Sequence, residues 1–298
     1  MAALRRQCSP KPPPPGAKPH GQVRYNDRVI FKKTNPPPLL AHDEPKPWCV
    51  GKPEGQSPYL ILCDHAGNRI PQSLGSLGLP DCTLQRHIAW DIGAGAVAQL
   101  LAEALDATVI LQPYSRLVID CNRPPGACDS IVRSSEDTAI PGNLGLTPGD
   151  IQAREQAVFW PYHRVIESTL DTRRHRGQAT FLIALHSFTP VFLGAPRPWH
   201  TAVLSNRDRR MADLLAAALK REAGLLVGDN EPYALGDDTD YSIPHHGEAR
   251  GLLHVELEIR QDQLATGQGQ ALWAARLARI LLVLQHELTA LEAAHSAR

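Results

Sequence analysis

The chain reads as an α/β protein, a three-layer α/β/α sandwich on a mixed, mostly parallel sheet. Three observations carry that reading. Short apolar runs alternate with longer segments of helical periodicity, the pattern of strands laid between covering helices. Two of the runs, Tyr59 to Cys63 and Ala179 to Leu185, are apolar throughout, which suits strands buried between layers. The 298 residues, 43% of them hydrophobic, are enough to fill such a core.

The elements follow in order. Residues 1–48 carry the proline runs Pro12 to Pro15 and Pro36 to Pro38 and little periodicity. They predict a mostly disordered arm, because too little apolar surface is available to offset the entropy of ordering. A stretch near Val23 to Phe31 is a candidate to dock, and a ligand for a proline-binding module is the alternative use of the arm. Residues 49–298 are expected to form one domain. Its first strand is Tyr59 to Cys63. Asp81 caps a helix expected over Thr83 to Ala104, and strands are expected at Thr108 to Leu111 and Leu117 to Cys121. Residues 124–149 form a loop. Thr147-Pro148-Gly149-Asp150 opens a helix running to about Arg174. Strands at Ala179 to Leu185 and Thr201 to Leu204, a helix from Arg209 to Glu222, and a polar segment from Gly228 to Gly251 come next. A strand at Leu252 to Ile259 and a helix from Gln270 to Ala294 complete the domain.

Bulk properties narrow the function. With 31 basic and 31 acidic side chains, the chain lacks the positive field a general nucleic-acid binder needs. No uncharged apolar stretch reaches about 18 residues, so no membrane span is expected. The basic start lacks an apolar core of signal-peptide length. The six cysteines form no C-x-x-C pair, and Cys63 and Cys121 sit in apolar runs, which favours free thiols and a reducing cytoplasm. Nucleotide-binding glycine loops and a G-x-S-x-G elbow are absent from the sequence. Oligomeric state is not legible.

Two strand-like runs end in histidine, at His65 and His186. Ligands in open α/β sheets bind beyond the carboxyl ends of strands. Two imidazoles delivered there from distant strands suggest a shared metal, and zinc suits imidazole and carboxylate donors with a position left open. Asp91, four residues after His87 on the expected helix, is a candidate ligand or an acceptor that orients a ligand histidine. The last strand alternates, with Val255, Leu257 and Ile259 on one face and His254, Glu256, Glu258 and Arg260 on the other. Carboxylates on a covered face are costly unless paired or used, and Glu258 is the candidate general base. Arg116 and Arg123, with Arg250 as a weaker third, are candidates to grip a substrate carboxylate. A small-residue stretch after His65 predicts room for a ligand beside the backbone.

Together, Asp64-His65-Ala66-Gly67-Asn68-Arg69-Ile70-Pro71, Ser115 to Pro124, His245 to Leu252 and Glu258-Ile259-Arg260-Gln261-Asp262 resemble the N-formylglutamate amidohydrolase family over about residues 57–270. That family is related to the zinc carboxypeptidases. Their pattern is echoed in His65, Asn122-Arg123, His186 and Glu258-Ile259-Arg260, with intervals of roughly 120 and roughly 70 residues between the histidines and on to the glutamate. The resemblance implies one zinc ion per chain on His65 and His186, Glu258 as base, and Asn122 and Arg123 on the substrate carboxylate. The position of the carboxypeptidase glutamate ligand is Asn68, a poor zinc ligand, so Asp91 or Asn68 completes the set.

The expected activity is metal-dependent hydrolysis of the amide of a small N-acyl acidic amino acid, N-formyl-L-glutamate above all. His246 is expected to donate to the oxyanion or line the pocket. Three alternatives are a zinc carboxypeptidase or other deacylase on the same site, a non-catalytic binding protein on this fold, and a cysteine or serine hydrolase using Cys63 or Ser187.

Overall fold

The computed structural model describes residues 38–296. The expected disorder of the arm, its run Pro12 to Pro15 and the docking candidate near Val23 to Phe31 lie outside the described residues. The compact unit begins at Leu39, ten residues before the expected boundary. Leu39, Leu40 and Trp48 pack against the core, and the Tyr114 hydroxyl donates to Pro45 O at 2.8 Å. Residues 39–48 therefore belong to the domain. Their apolar side chains find a surface that the local sequence does not reveal.

Seven strands form one sheet: β1 (Cys49–Gly51), β2 (Tyr59–Cys63), β3 (Thr108–Leu111), β4 (Phe181–Phe188), β5 (Thr201–Leu204), β6 (Val227–Asp229) and β7 (Leu253–Arg260), in the order β1-β3-β2-β4-β7-β5-β6. β3, β2, β4 and β7 are mutually parallel, β5 is parallel to β6, and β1 on β3 and β5 on β7 are antiparallel. The sheet is mixed, as expected. β1 and β6 are too short to carry a periodic signal.

Helices cover both faces. The helices α1 (Asp81–Leu84), α2 (Ala94–Leu105), α3 (Pro148–Arg154), α4 (Trp160–His175), α5 (Arg210–Lys220) and α6 (Gly267–Ser296) follow in chain order. α2, α5 and α6 bury Val97, Leu101, Leu215, Trp273 and Leu277 against Ile61, Ile183, Val255 and Leu257 of the sheet. α4 buries Tyr162, Ile166 and Leu170 against Leu60, Leu62, Leu182 and Ala184 on the other face. The alternation of β7 is realised: Leu253, Val255, Leu257 and Ile259 all enter the first core.

Two expected elements are corrected. The helix expected over 83–104 is broken into α1 and α2 by an irregular segment around residues 85–93. Gly93 ends that segment at φ +80°, a left-handed conformation that lets the backbone turn into α2. His87 and Asp91 thus share no helix face. The strand expected at Leu117 to Cys121 is a turn, in which Val118 N–H bonds Ser115 O at 2.9 Å and Asp120 N–H bonds Ser130 O at 2.7 Å. Its apolar run is buried without strand pairing: Val118, Ile119 and Cys121 join the core beneath α4, and Leu117 packs with Leu77, Leu79 and Ile140. The helix expected to reach Arg174 is present from Pro148, with the Thr147–Asp150 capping box intact. It widens into a π turn at Glu155–Phe159 just before Pro161, which has no N–H to give the α-helical ladder.

Among the described residues no helix is long and apolar enough to cross a membrane.

Candidate active site

The chain leaves β2 toward β3 on one side and re-enters the sheet at β4 on the other. A crevice opens at the carboxyl ends where that direction reverses. His65 lies two residues past β2, and His186 is the sixth residue of β4. In the parallel β4–β7 register Glu258 stands opposite His186. The broken helix brings the third group. Asp91 N–H donates to His65 O at 3.0 Å, and the Ser115 hydroxyl holds Ala89 O at 2.8 Å. The irregular segment is thereby fastened across the strand ends.

The two imidazoles meet on one carboxylate oxygen. His65 Nδ1 is 3.2 Å and His186 Nδ1 2.8 Å from Asp91 Oδ2. His65 Nε2 pairs with Asp120 Oδ1 at 2.7 Å. His186 Nε2 lies 3.2 Å from Asp64 Oδ2, but out of line, so both atoms are buried without a hydrogen bond. Asp64 Oδ1 accepts from the hydroxyls of Tyr162 at 2.8 Å and Ser242 at 2.7 Å. Each imidazole thus has a carboxylate at Nε2 and turns Nδ1 toward a common point. This arrangement orients histidines for a metal. His65, Asp91 and His186 each offer a ligand atom, all within 4.8 Å of one another. Two imidazole nitrogens and a carboxylate oxygen fit zinc in number and kind.

Burial and charge set the protonation states. Burial opposes ionisation of Asp91, yet His65 and His186 hold its carboxyl far below the usual range. Asp64 follows the same logic: burial raises it, but His186, His65 and the Ser242 hydroxyl bring it to about 2. Burial works to keep both histidines neutral, but the surrounding carboxylates raise the pKa of His65, and that of His186 well above the ordinary value. Glu258 behaves oppositely. Burial pushes its carboxyl up to about 7 against the attraction of His186, and its Oε2 is buried without a partner. Burial also carries Glu256 well up, with Asp240 and Glu258 adding to it.

A cavity of about 400 Å³ joins these groups and is lined by His65, Asp91, His186, Glu258, Arg116 and Arg123 among others. Asn122 also lines it, with its amide already employed. Asn122 Oδ1 accepts from the backbone of Tyr241 and Ser242 at 3.0 Å each, and Nδ2 faces Asp240 and Glu256 at 3.3 and 3.4 Å.

The structure does not bring every expected residue here. His246 is fully buried, bonded to Nδ1 of His163 at 2.9 Å, and does not line the cavity. Burial and the neighbouring His163 hold it well below its ordinary pKa, so it is a neutral packing group. Arg250 lies in a different groove, paired with Asp171 at 2.7 Å. Asn68 spends its amide on Leu84 O at 2.8 Å, outside the His65–Asp91–His186 cluster. The small residues after His65 serve the backbone: a Cβ on Gly67 would stand 2.3 Å from Pro113 O. Ser187 Oγ donates to Ile92 O at 3.0 Å, and burial pushes the Cys63 thiol far up, so neither is set up as a nucleophile.

The sequence assigns no role to Asp64, Asp120 or Asp240, and offers Glu256 only as one of two carboxylates on a covered strand face. Asp64 and Asp120 each close an apolar run, and Arg116 four residues before Asp120 was a signal for a pair. Its Nε and Nη2 reach Asp120 at 3.0 and 2.6 Å.

A carboxyl poised near neutrality beside a cluster able to hold a cation is equipment for splitting a bond with water. The class this fold and site define is a hydrolase built on a mixed α/β sheet. Comparison with known proteins agrees. The family model described as N-formylglutamate amidohydrolase matches residues 57–265. The crystal structure of gene product Atu2144 from Agrobacterium tumefaciens is 35% identical, with a TM-score of 0.81, covering 84% of this chain and 99% of that one. N-formylglutamate amidohydrolase from Ralstonia eutropha JMP134 is 20% identical, with a TM-score of 0.62, covering 82% and 98%. No curated protein sequence matches the chain. The chain belongs to the N-formylglutamate amidohydrolase family, and so to the amidohydrolases.

Proposed function

We propose that the protein is a metal-dependent amidohydrolase that removes the N-acyl group of a small acidic amino acid. The favoured substrate is N-formyl-L-glutamate, giving formate and L-glutamate. One observation carries the reading: the His65–Asp91–His186 cluster, the buried carboxyl of Glu258 and the guanidiniums of Arg116 and Arg123 all face one cavity of about 400 Å³. That size suits a small substrate.

His65, Asp91 and His186 would hold one zinc ion per chain. When bound, the ion supplies Lewis acidity toward the carbonyl oxygen and lowers the pKa of water. Glu258, with its pKa raised to about 7, takes a proton from the attacking water as general base. The same carboxyl then gives that proton to the leaving amine nitrogen, so its charge is restored after each turnover. Among the described residues Arg116 Nη1, 3.5 Å from Asp91 Oδ1, and Arg123 Nη2 make no hydrogen bond, and these donors orient a substrate carboxylate. Asn122 holds the loop at Tyr241 and Ser242 in place behind them.

The test is formate release from N-formyl-L-glutamate by zinc-loaded protein, repeated after chelation and after restoring zinc. Release that is lost and regained is expected. Bound zinc with no release would sink the substrate. Failure to bind zinc, together with no release, would sink the whole reading.

A further inference from the structure

The arginines around the cavity are not equivalent. Arg116 is committed to Asp120 and stands 3.5 Å from Asp91. Arg123 is held by Asp129 at 3.0 Å, by Asp240 at 3.5 Å and by the carbonyls of Asn122 and Thr239. Carboxylates of this chain therefore offset most of both charges. Arg197 is different. It is 9% exposed and forms no ion pair with the described residues. Its side chain makes one hydrogen bond, from Nη1 to the Tyr233 hydroxyl at 2.7 Å. Its guanidinium carbon lies 4.7 Å from the ring centroids of both Phe192 and Tyr233. Both rings line the cavity, and Arg197, which does not itself line it, stands directly behind them.

A buried charge is costly unless paired or used. Two aromatic faces offset part of the cost and fix the plane of the guanidinium. Among the described residues most of its N–H donors have no acceptor, and those nitrogens are not fully enclosed, so they remain open to a ligand. Tyr233 adds one more donor, because its oxygen accepts from Arg197 and its own hydrogen has no acceptor among the described residues. The positive field reaches further. Burial, with Arg86, Arg116 and Arg197, holds His87 of the cavity wall below its ordinary pKa despite Glu136. A substrate with two carboxylates enters a cavity already lined by Asp91, Asp120, Asp240, Glu256 and Glu258. It needs a cation that those groups have not neutralised.

We propose that Arg197 and the Tyr233 hydroxyl form a second carboxylate subsite, which receives the side-chain carboxylate of the substrate and sets the preference for acidic over neutral acyl amino acids. The choice of substrate rests on the function proposed above; the subsite rests on the unpaired cation.

The experiment compares kcat/KM for N-formyl-L-glutamate and its neutral isostere N-formyl-L-glutamine in zinc-loaded wild type, Arg197→Gln and Tyr233→Phe. Arg197→Gln is expected to lower the glutamate value about 30-fold or more while the glutamine value stays within about threefold. Tyr233→Phe keeps the ring and is expected to take about threefold to tenfold from the preference. An unchanged preference, or equal losses on both substrates, overturns the subsite. Glutarate and butyrate binding by calorimetry gives a readout without turnover. Wild type should favour glutarate, and Arg197→Gln should lose that preference. No such preference in wild type overturns the subsite. An Arg197-dependent preference in a wild type that releases no formate overturns the deformylase reading and leaves the subsite standing. Should Arg197→Gln fail to fold, Tyr233→Phe decides on both readouts, and unchanged ratios there overturn the proposal.

Discussion

Glu258 and His186 face each other across two parallel strands, and both pKa values are raised, which favours the charged form of the histidine and the neutral form of the carboxyl. Burial penalises any charge, and the outcome turns on who the neighbours are. His186 sits among Asp64, Asp91 and Glu256 and is held as a cation in the metal-free protein. Glu258 meets both Asp91 and His186 and settles near 7. Glu258→Gln should therefore keep its zinc and lose about a thousandfold in turnover, checked by metal analysis beside formate release. Turnover near the wild-type value would remove Glu258 as base. Metal binding must also displace protons, because ligand imidazoles bind in the neutral form. Zinc affinity should rise with pH. Calorimetry at pH 7 in buffers of different ionisation enthalpy should report about one proton or more released, and heats independent of buffer would contradict the raised histidine pKa values. The same pairs act on stability. Their folded pKa values are raised, so they stabilise the metal-free fold fully below the ordinary histidine value of 6.5 and progressively less as pH rises through the raised values.

At the scale of elements, the break between α1 and α2 decides the site. Had Thr83 to Ala104 been one helix, Asp91 would ride on its surface. The break turns the segment across the ends of β2 and β4, where Asp91 receives both histidines. Gly93 makes that turn possible. A Cβ there would stand 2.5 Å from Leu264 Cβ, and φ is +80°. Gly93→Ala should cost about 2 kcal/mol or more and lower Tm by about 4 °C or more. It should also weaken zinc binding, since Asp91 lies two residues away. Gly126→Ala is the control: φ is again +80°, with nothing within 4 Å of the new Cβ. Equal effects from both substitutions would show that close packing on Leu264 is unimportant.

The whole molecule places a hydrophilic cluster where two hydrophobic cores meet the ends of the strands. Asp64, His65, Asp91, Asp120, His186, Glu256 and Glu258 are all buried, and strand alternation puts His186, Glu256 and Glu258 on the face of the sheet that α4 covers. Such a concentration of charge is paired within itself, and a divalent cation would complete the pairing. Binding it should stabilise the fold by about 4 kcal/mol at a free concentration a thousandfold above Kd. For a domain of this size that is a rise in Tm of about 8 °C or more, reversed by chelator. His65→Ala should show no such rise. An equal rise in that variant would place the stabilising metal elsewhere.

Sequence by itself determined the fold class, the strands that carry His65, His186 and Glu258, and the family. Those features are local: apolar runs, alternation along one strand, and residue types at fixed places in short motifs. Asp91 was readable as a candidate, but only the tertiary structure places it, and not Asn68, beside His65 and His186 in a cluster able to hold a metal ion, because that placement depends on where a helix breaks and what the freed loop rests on. The same holds for His246 and Arg250, whose neighbours are distant in the chain and turn one into a packing group and the other into a surface pair. Asp64 acquires its meaning from His186 and Ser242, Asp120 from His65 as well as from nearby Arg116, and Arg197 from Tyr233 as well as from nearby Phe192. Local pattern records which side of an element is apolar. It does not record which charges folding brings face to face, and those decide the chemistry.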